Sequence, residues 1–174
     1  MKSEDRDAAF SAFTIGHRRD LVRAATLLCA GDAAMAEDLV QATLTKLYLS
    51  WSRVRQADNP AAYARAALTN TFLNEMQRAH RRRENTQIDP SALLEQTAAT
   101  EMDLDTRRLV LVALATLAPR QRAVVVLRHW FDLDTASTAR ALGCSVGTVK
   151  SQNARALAHL RSILGERDLL GVKQ

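Results

Sequence analysis

The residues of this chain that could do chemistry are hydrogen-bond donors, with no acid–base pair or activated nucleophile among them. In the stretch GCSVGTVKSQNARALAHLR, residues 143–161, one arc of a helical wheel carries Gly147, Thr148, Ser151, Ala154, Arg155 and Ala158. Another arc gathers Val146, Val149, Ala156, Leu157, Leu160, Ile163 and Leu164. An ordinary solvated face mixes Glu and Lys; this one is small and hydrogen-bonding, with an isolated cation. Small side chains let another backbone come close, and Ser, Thr, Gln and Arg can donate to phosphates and base edges. The segment therefore predicts the second helix of a helix-turn-helix, the one that lies in a major groove. Ser145, Thr148, Lys150 and Arg155 are assigned to phosphate or positioning contacts, and Gly147, Ser151 and Gln152 to the neighbourhood of base edges.

A second stripe lies upstream. Asn70, Asn74, Gln77 and Arg81 share a narrow helical arc, with Leu68, Phe72 and Met76 spaced for burial on the other side. Asn is unfavourable in mid-helix by propensity, and the stripe runs into Arg78, His80, Arg81, Arg82 and Arg83. It fits a nucleic-acid contact, or a solvated face followed by a basic linker. A third ridge, Glu37, Asp38, Gln41 and Thr45, is acidic and polar. It is unsuited to phosphates and fits either plain surface or a docking face for a basic protein.

Catalysis and metal binding are not expected. His17, His80, His129 and His159 have no metal-ligand spacing among themselves or with Cys29 and Cys144. There is no phosphate-cradling glycine-rich loop and no nucleophile–base constellation, so no enzyme activity and no cofactor are predicted. Trp51 and Trp130 each end an apolar helix face and are expected as core anchors. The two cysteines, without a CxxC pair, are expected as buried reduced thiols.

These residues must be positioned by helices. The chain has 174 residues, 47% hydrophobic and only 5% aromatic, with a net charge of +5 that fits a polyanionic partner. Ala, Leu and Arg recur throughout and favour helix over sheet. Helical patterns run over 7–30, with a break expected near Gly16, over 33–51, and from Pro60 to the arginine cluster at 81–83. A polar loop occupies 52–59. Residues 84–100 read as a linker with a short helical turn at 91–96. Helical pattern returns over 105–117, restarts at Pro119 in a first turn where its missing N–H costs nothing, and resumes over 135–142. Gly143 closes that helix and Ser145 caps the next. The N-terminus lacks an apolar signal core and no apolar run reaches membrane-spanning length, so a cytoplasmic chain without membrane insertion is expected.

Taken together, the two halves resemble the extracytoplasmic-function (group IV) sigma factors of bacterial RNA polymerase. LAPRQRAVVVLRHWFDLDTASTARALGCSVGTVKSQNARALAHLR is similar to the family's fourth conserved region. GDAAMAEDLVQATLTKLYLSW resembles its polymerase-docking helix, and NPAAYARAALTNTFLNEMQRAHRRRE the helix that reads and opens the promoter. The resemblance implies an all-α fold of two small helical domains joined by a flexible linker, the C-terminal one containing the helix-turn-helix. The implied divisions are 1–83 for docking and the −10 element, 84–102 for the linker, 103–164 for the −35 element, and 165–174 for a tail. It implies that Glu37, Asp38, Gln41 and Thr45 contact the clamp coiled coil of the largest polymerase subunit, with the flap of the second-largest as a further contact. It further implies that Asn70, Asn74, Gln77, Arg78 and Arg81, with the loop 52–59, contact the −10 element, where one base leaves the stack for a protein pocket. The helix from Val146 would read the −35 element. Promoter DNA and core polymerase are the implied partners, and an anti-sigma factor is common in the family.

Two departures stand out. The family's first helix of the helix-turn-helix usually opens with Ser and carries Glu three residues on, a capping box; here Asp134 is the expected cap and Ser137 stands in the Glu position. The downstream-reading helix often has Asp where this chain has Asn74 or Glu75. The competing reading is a stand-alone regulator binding operator DNA as a dimer, which would need a dimerisation helix or ligand-sensing domain that the sequence does not display. A helical adaptor binding protein only leaves the two polar faces near arginines without a role.

Overall fold

The computed structural model describes residues 3–84 and 104–165, and every regular element among them is helical. The helical turn expected at 91–96 lies outside the described residues. Helix α1 (Ser3–Leu28) runs through Gly16 without the expected break. A single glycine costs a helix about 1 kcal/mol, too little to interrupt 26 residues whose other face is packed. The chain then turns through Ala30 and Gly31, both at positive φ. Helix α2 (Ala33–Leu49) starts under Asp32, whose carboxylate accepts from the Met35 N–H at 2.9 Å. It stops short of the expected Trp51, which begins a separate turn, α3 (Trp51–Val54). At the division the Ser50 hydroxyl donates back to Lys46 O at 2.8 Å, a local bond that competes with the helix ladder. Asn59 accepts from the Ala62 N–H at 2.9 Å and so caps α4 (Pro60–Glu84), with proline at the first helical position.

Helices α1, α2 and α4 pack on one another through Leu21, Leu28, Val40, Leu44, Leu47, Leu68 and Phe72. Trp51 is the buried anchor its position predicts, in ring contact with Phe10 at 5.2 Å and Phe13 at 5.1 Å.

The second half comprises α5 (Leu104–Ala115), α6 (Pro119–Val125) continued by a π-turn over Val126–Trp130, α7 (Thr135–Leu142) and α8 (Val146–Leu164). The π-turn corrects the expectation for Trp130, which is 46% exposed. In a regular helix Trp130 would lie one turn below buried Val126. Here the Phe131 N–H bonds to Val126 O, five residues back, and the wider turn carries Phe131 inward and swings Trp130 out.

The two halves share a core. Val124, Val126, Leu127, Phe131, Leu142 and Val149 belong to the same buried cluster as Leu28 and Phe72, while Val125 joins a second cluster with Leu114, Leu117, Ala156 and Leu160. The run AVVVL over 123–127 is thus buried on all sides, as a helix apolar all round should be.

Cys29 and Cys144 are both free thiols, Cys29 buried and Cys144 half-buried. Burial pushes the Cys29 thiol up to about 12, with nearby Asp32 adding to the shift and Arg122 opposing it. Because the folded thiol holds its proton above the ordinary cysteine value of about 8.5, its contribution to stability is complete below that pH and falls as pH rises toward 12. At pH 8 a thiol reagent is expected to label Cys144 well before Cys29, and both equally in denaturant. Equal rates in the native protein would contradict the packing around Cys29.

Candidate nucleic-acid interface

Short-range chemistry builds the turn that aims α8. Asp134 accepts from the Ser137 N–H at 2.7 Å and from the Ser137 hydroxyl at 3.0 Å. The backbone bond from Ser137, followed by its hydroxyl, holds the Asp134 carboxyl below the usual carboxylate range. The reciprocal arm of a capping box is missing, because Ser137 turns to the capping carboxylate and accepts from Arg140 at 2.9 Å. Gly143 ends α7 at φ 60°, and the next N–H, of Cys144, reaches back to Ala139 O at 3.0 Å. A left-handed residue with this back-bond is the usual glycine stop. Ser145 then accepts from the Thr148 N–H at 3.1 Å, and the two hydroxyls bond at 2.9 Å. Ser145 and Thr148 are therefore committed to starting the helix.

Along α8, Val149, Ala156 and Leu160 are buried, whereas Gly147, Lys150, Ser151 and Arg155 are exposed and Gln152 is half-buried. The small polar face expected from the wheel is thus presented outward. The apolar arc is narrower than the wheel suggested: Val146 and Ile163, at opposite ends of the helix, are 42% and 43% exposed. The helix outruns the surface of α5, α6 and α7 on which it packs.

Beside the exposed face runs a basic groove of about 380 Å³, to which Arg128, Thr135, Lys150, Asn153 and Arg161 contribute. Arg128 also donates to Leu133 O at 2.5 Å, and Asn153 pairs with His129 at 2.9 Å. Sequence reasoning took only Lys150 from this set. Arg128 comes from a different element, so no single-helix wheel could bring it to α8.

On α4 the stripe is also real: Asn70, Asn74, Gln77, Arg78 and Arg81 are exposed, Leu68 and Phe72 buried, and Met76 half-buried. Two members already have partners. Arg78 pairs with Glu75 at 2.6 Å, and the Asn70 side-chain amide donates to Ala141 O of α7 at 2.9 Å. Next to Asn70 and Asn74 is a cavity of about 210 Å³, walled further by Lys46, Ser50, Tyr63 and Thr71. Lys46 donates to the Thr71 hydroxyl at 3.1 Å across its floor. Tyr63 was missed in the sequence, although its spacing of seven from Asn70 extends the same ridge backward by two turns.

Of the acidic ridge on α2, Asp38, Gln41 and Thr45 are exposed. Glu37 is half-buried and ion-paired with Arg18 of α1 while accepting from Gln41 at 3.3 Å. Thr45 donates back to Gln41 O at 2.9 Å. The ridge is thus partly tied to its own fold, with Asp38 as its outward carboxylate. Among the described residues no group of acidic, His and Cys side chains could hold a metal, and no helix is long and apolar enough to cross a membrane.

Residues 6–83 match the family model for sigma-70 region 2, and residues 107–160 that for sigma-70 region 4. The RNA polymerase sigma-E factor of Streptomyces antibioticus is 44% identical over 139 residues, which cover 79% of this chain and 75% of that protein. The ECF RNA polymerase sigma factor SigL of Mycobacterium tuberculosis is 36% identical over 141 residues, 78% of each chain. Among solved structures, the sigma factor RpoE of Bartonella quintana in complex with the anti-sigma factor NepR aligns with a TM-score of 0.75 at 26% identity. That alignment covers 91% of this chain and 98% of the other. CnrH in complex with the cytosolic domain of CnrY aligns with a TM-score of 0.60 at 20% identity, over 93% and 91% of the two chains, and shares the fold.

Proposed function

Because the chain belongs to the extracytoplasmic-function sigma factors of the sigma-70 family, acting with core RNA polymerase to direct transcription initiation, we propose how its surfaces divide that work. The α8 face of Gly147, Ser151 and Gln152 meets base edges of the −35 element, with Lys150 and Arg155 on phosphates and Ser145 and Thr148 fixing the approach. The observation that carries this is the exposure of Gly147 and Ser151 directly opposite the buried Val149–Ala156–Leu160 stripe, with half-buried Gln152 at the edge of that face. Arg128 and Arg161 extend the phosphate track along the groove. On α4, Asn70, Asn74, Gln77, Arg78 and Arg81 meet the −10 element, and the cavity under Tyr63 is of a size for a single unstacked base. An aromatic wall and convergent polar groups are what a flipped base requires. The α2 ridge of Glu37, Asp38, Gln41 and Thr45 docks on the polymerase clamp, Asp38 supplying the charge and Glu37 the fixed geometry.

None of these roles needs an enzymatic step. Weak DNA affinity per reader suffices, because holding both on one polymerase makes the second contact effectively intramolecular.

The test mixes the purified chain with core polymerase and genomic DNA and maps transcript starts. New starts sharing upstream elements are expected. Arg155→Ala should weaken upstream recognition, and each lost phosphate contact should lower the logarithmic salt slope by about 0.9. Asp38→Ala should weaken polymerase binding and leave the fold intact. Equal loss of one function by both variants at equal stability would refute the division of labour. Tight, sequence-specific operator binding without polymerase would favour a stand-alone regulator.

A further inference from the structure

The basic groove beside α8 has a floor that the proposed DNA contacts leave unused. Its volume is about 380 Å³, within the usual size of small-molecule sites, roughly 300–1,000 Å³. Three cations stand at its rim: Lys150 and Arg161 on α8, and Arg128 on the π-turn. Among the described residues no carboxylate lines it. Asp134, next in sequence to Thr135, already accepts from the Ser137 N–H and hydroxyl. Between the cations the floor is apolar, made by Val149, Ala154 and Leu157.

The recessed polar groups are already oriented. Arg128 is half-buried and donates to Leu133 O at 2.5 Å. That bond uses one guanidinium nitrogen and leaves the others for the groove. Asn153 Oδ1 pairs with His129 at 2.9 Å, so its amide nitrogen is left to donate, as is the hydroxyl of half-buried Thr135. Lys150 and Arg161 are exposed, and neither has an ion-pair or hydrogen-bond partner among the described residues. The site is thus a set of donors and positive charges around an apolar floor.

The shape selects among anions. Lys150 and Arg161 are three turns apart on α8, about 16 Å along its axis, and a lone phosphate ion is much shorter than that. A duplex backbone can lie across the rim, but its bases are stacked inside the helix and bring nothing flat to the floor. A free nucleotide brings both parts: phosphate oxygens that only accept, and a planar ring. Its terminal phosphate alone carries about two negative charges at pH 7. We propose that this groove is a nucleotide site. It takes a nucleoside diphosphate with the phosphates on the cations and the ring on Ala154 and Leu157, and its occupancy competes with the −35 element. The binding stands apart from the promoter reading above. The competition rests on that reading, because Arg128, Lys150 and Arg161 are the cations assigned there to upstream phosphates.

Titration calorimetry of the full chain with ADP, without divalent metal, is expected to show saturable binding of one molecule per chain. Inorganic phosphate and adenosine, titrated separately, should each bind at least tenfold more weakly, since each meets only part of the site. Arg161→Glu reverses a rim charge and Ala154→Leu fills the floor. Both positions are exposed, so the fold should survive, and each change should weaken ADP binding at least tenfold. Saturating ADP should also weaken binding of a labelled promoter duplex by holoenzyme at least threefold, in a reaction without nucleoside triphosphates, and should have no such effect with Ala154→Leu. No ADP binding up to about 1 mM would overturn the site, as would an affinity unchanged by Ala154→Leu in a variant that melts like the wild type. Inorganic phosphate binding as tightly as ADP would reduce the groove to a patch of charge and refute the nucleotide. A single-stranded oligonucleotide that displaces ADP, binds tenfold more tightly and is equally sensitive to Ala154→Leu would assign the groove to a nucleic-acid strand and refute the free ligand. ADP binding that leaves promoter affinity unmoved would refute the competition. If the holoenzyme binds no promoter even without ADP, the promoter reading fails and the competition with it, while the titration of the free chain still decides the site.

Discussion

Phe72→Ala is expected to destabilise the fold by about 3–5 kcal/mol, the usual range for deleting a buried aromatic ring. Phe72 is only 1% exposed and lies where α4 faces both the α1–α2 layer and α6. Its ring also sits beside the Arg122 guanidinium. The loss is large against a typical total stability of about 5–15 kcal/mol, and for a chain of this size it corresponds to a fall in Tm of roughly 6–20 °C. A thermal melt followed by circular dichroism measures it directly. A loss under about 1 kcal/mol would mean that the ring is not packed as described.

Gly147→Leu is expected to separate folding from recognition. A Cβ at Gly147 would meet only the Ser145 hydroxyl, at 3.7 Å, and the residue has no positive φ. The fold therefore gives no reason for glycine there, and replacing it should leave stability unchanged or raise it by up to about 1 kcal/mol. The proposed DNA contact gives the reason, because a bare Cα lets the first turn of α8 approach the groove. Initiation at −35-dependent promoters should fall at least tenfold while the melt is unaffected or improved. Retained initiation would move base reading elsewhere on α8, and lost stability would show that the glycine serves the fold.

Much of this was legible in single helices. The period of the apolar residues located α2, α4, α7 and α8, and the short-range chemistry of Asp134, Gly143 and Ser145 marked the turn between the last two. The outward face of α8 and the Asn70–Arg81 stripe were likewise visible, since both are single-helix patterns. Trp130 was misplaced because a π-turn changes the residue count per turn, which no fixed wheel contains. Arg128 and Lys46 were missed because each meets its site from a neighbouring element.

The sequence by itself thus determined where most helices lie, the Asp134, Gly143 and Ser145 signals between the last two, and the residue types on the faces proposed for DNA and polymerase, since these depend on neighbours within a few positions. Only the tertiary structure decided which of those residues are free to act. Glu37 is bound to Arg18 and Asn70 to Ala141, and Arg122, which looks like one more surface cation in α6, donates to the end of α1 at Leu28, 94 residues away. Such partners are chosen by which helices lie side by side and, for Asn70 and Arg122, by carbonyls near helix ends. Neither has a local signature, because both come into being only when the helices pack.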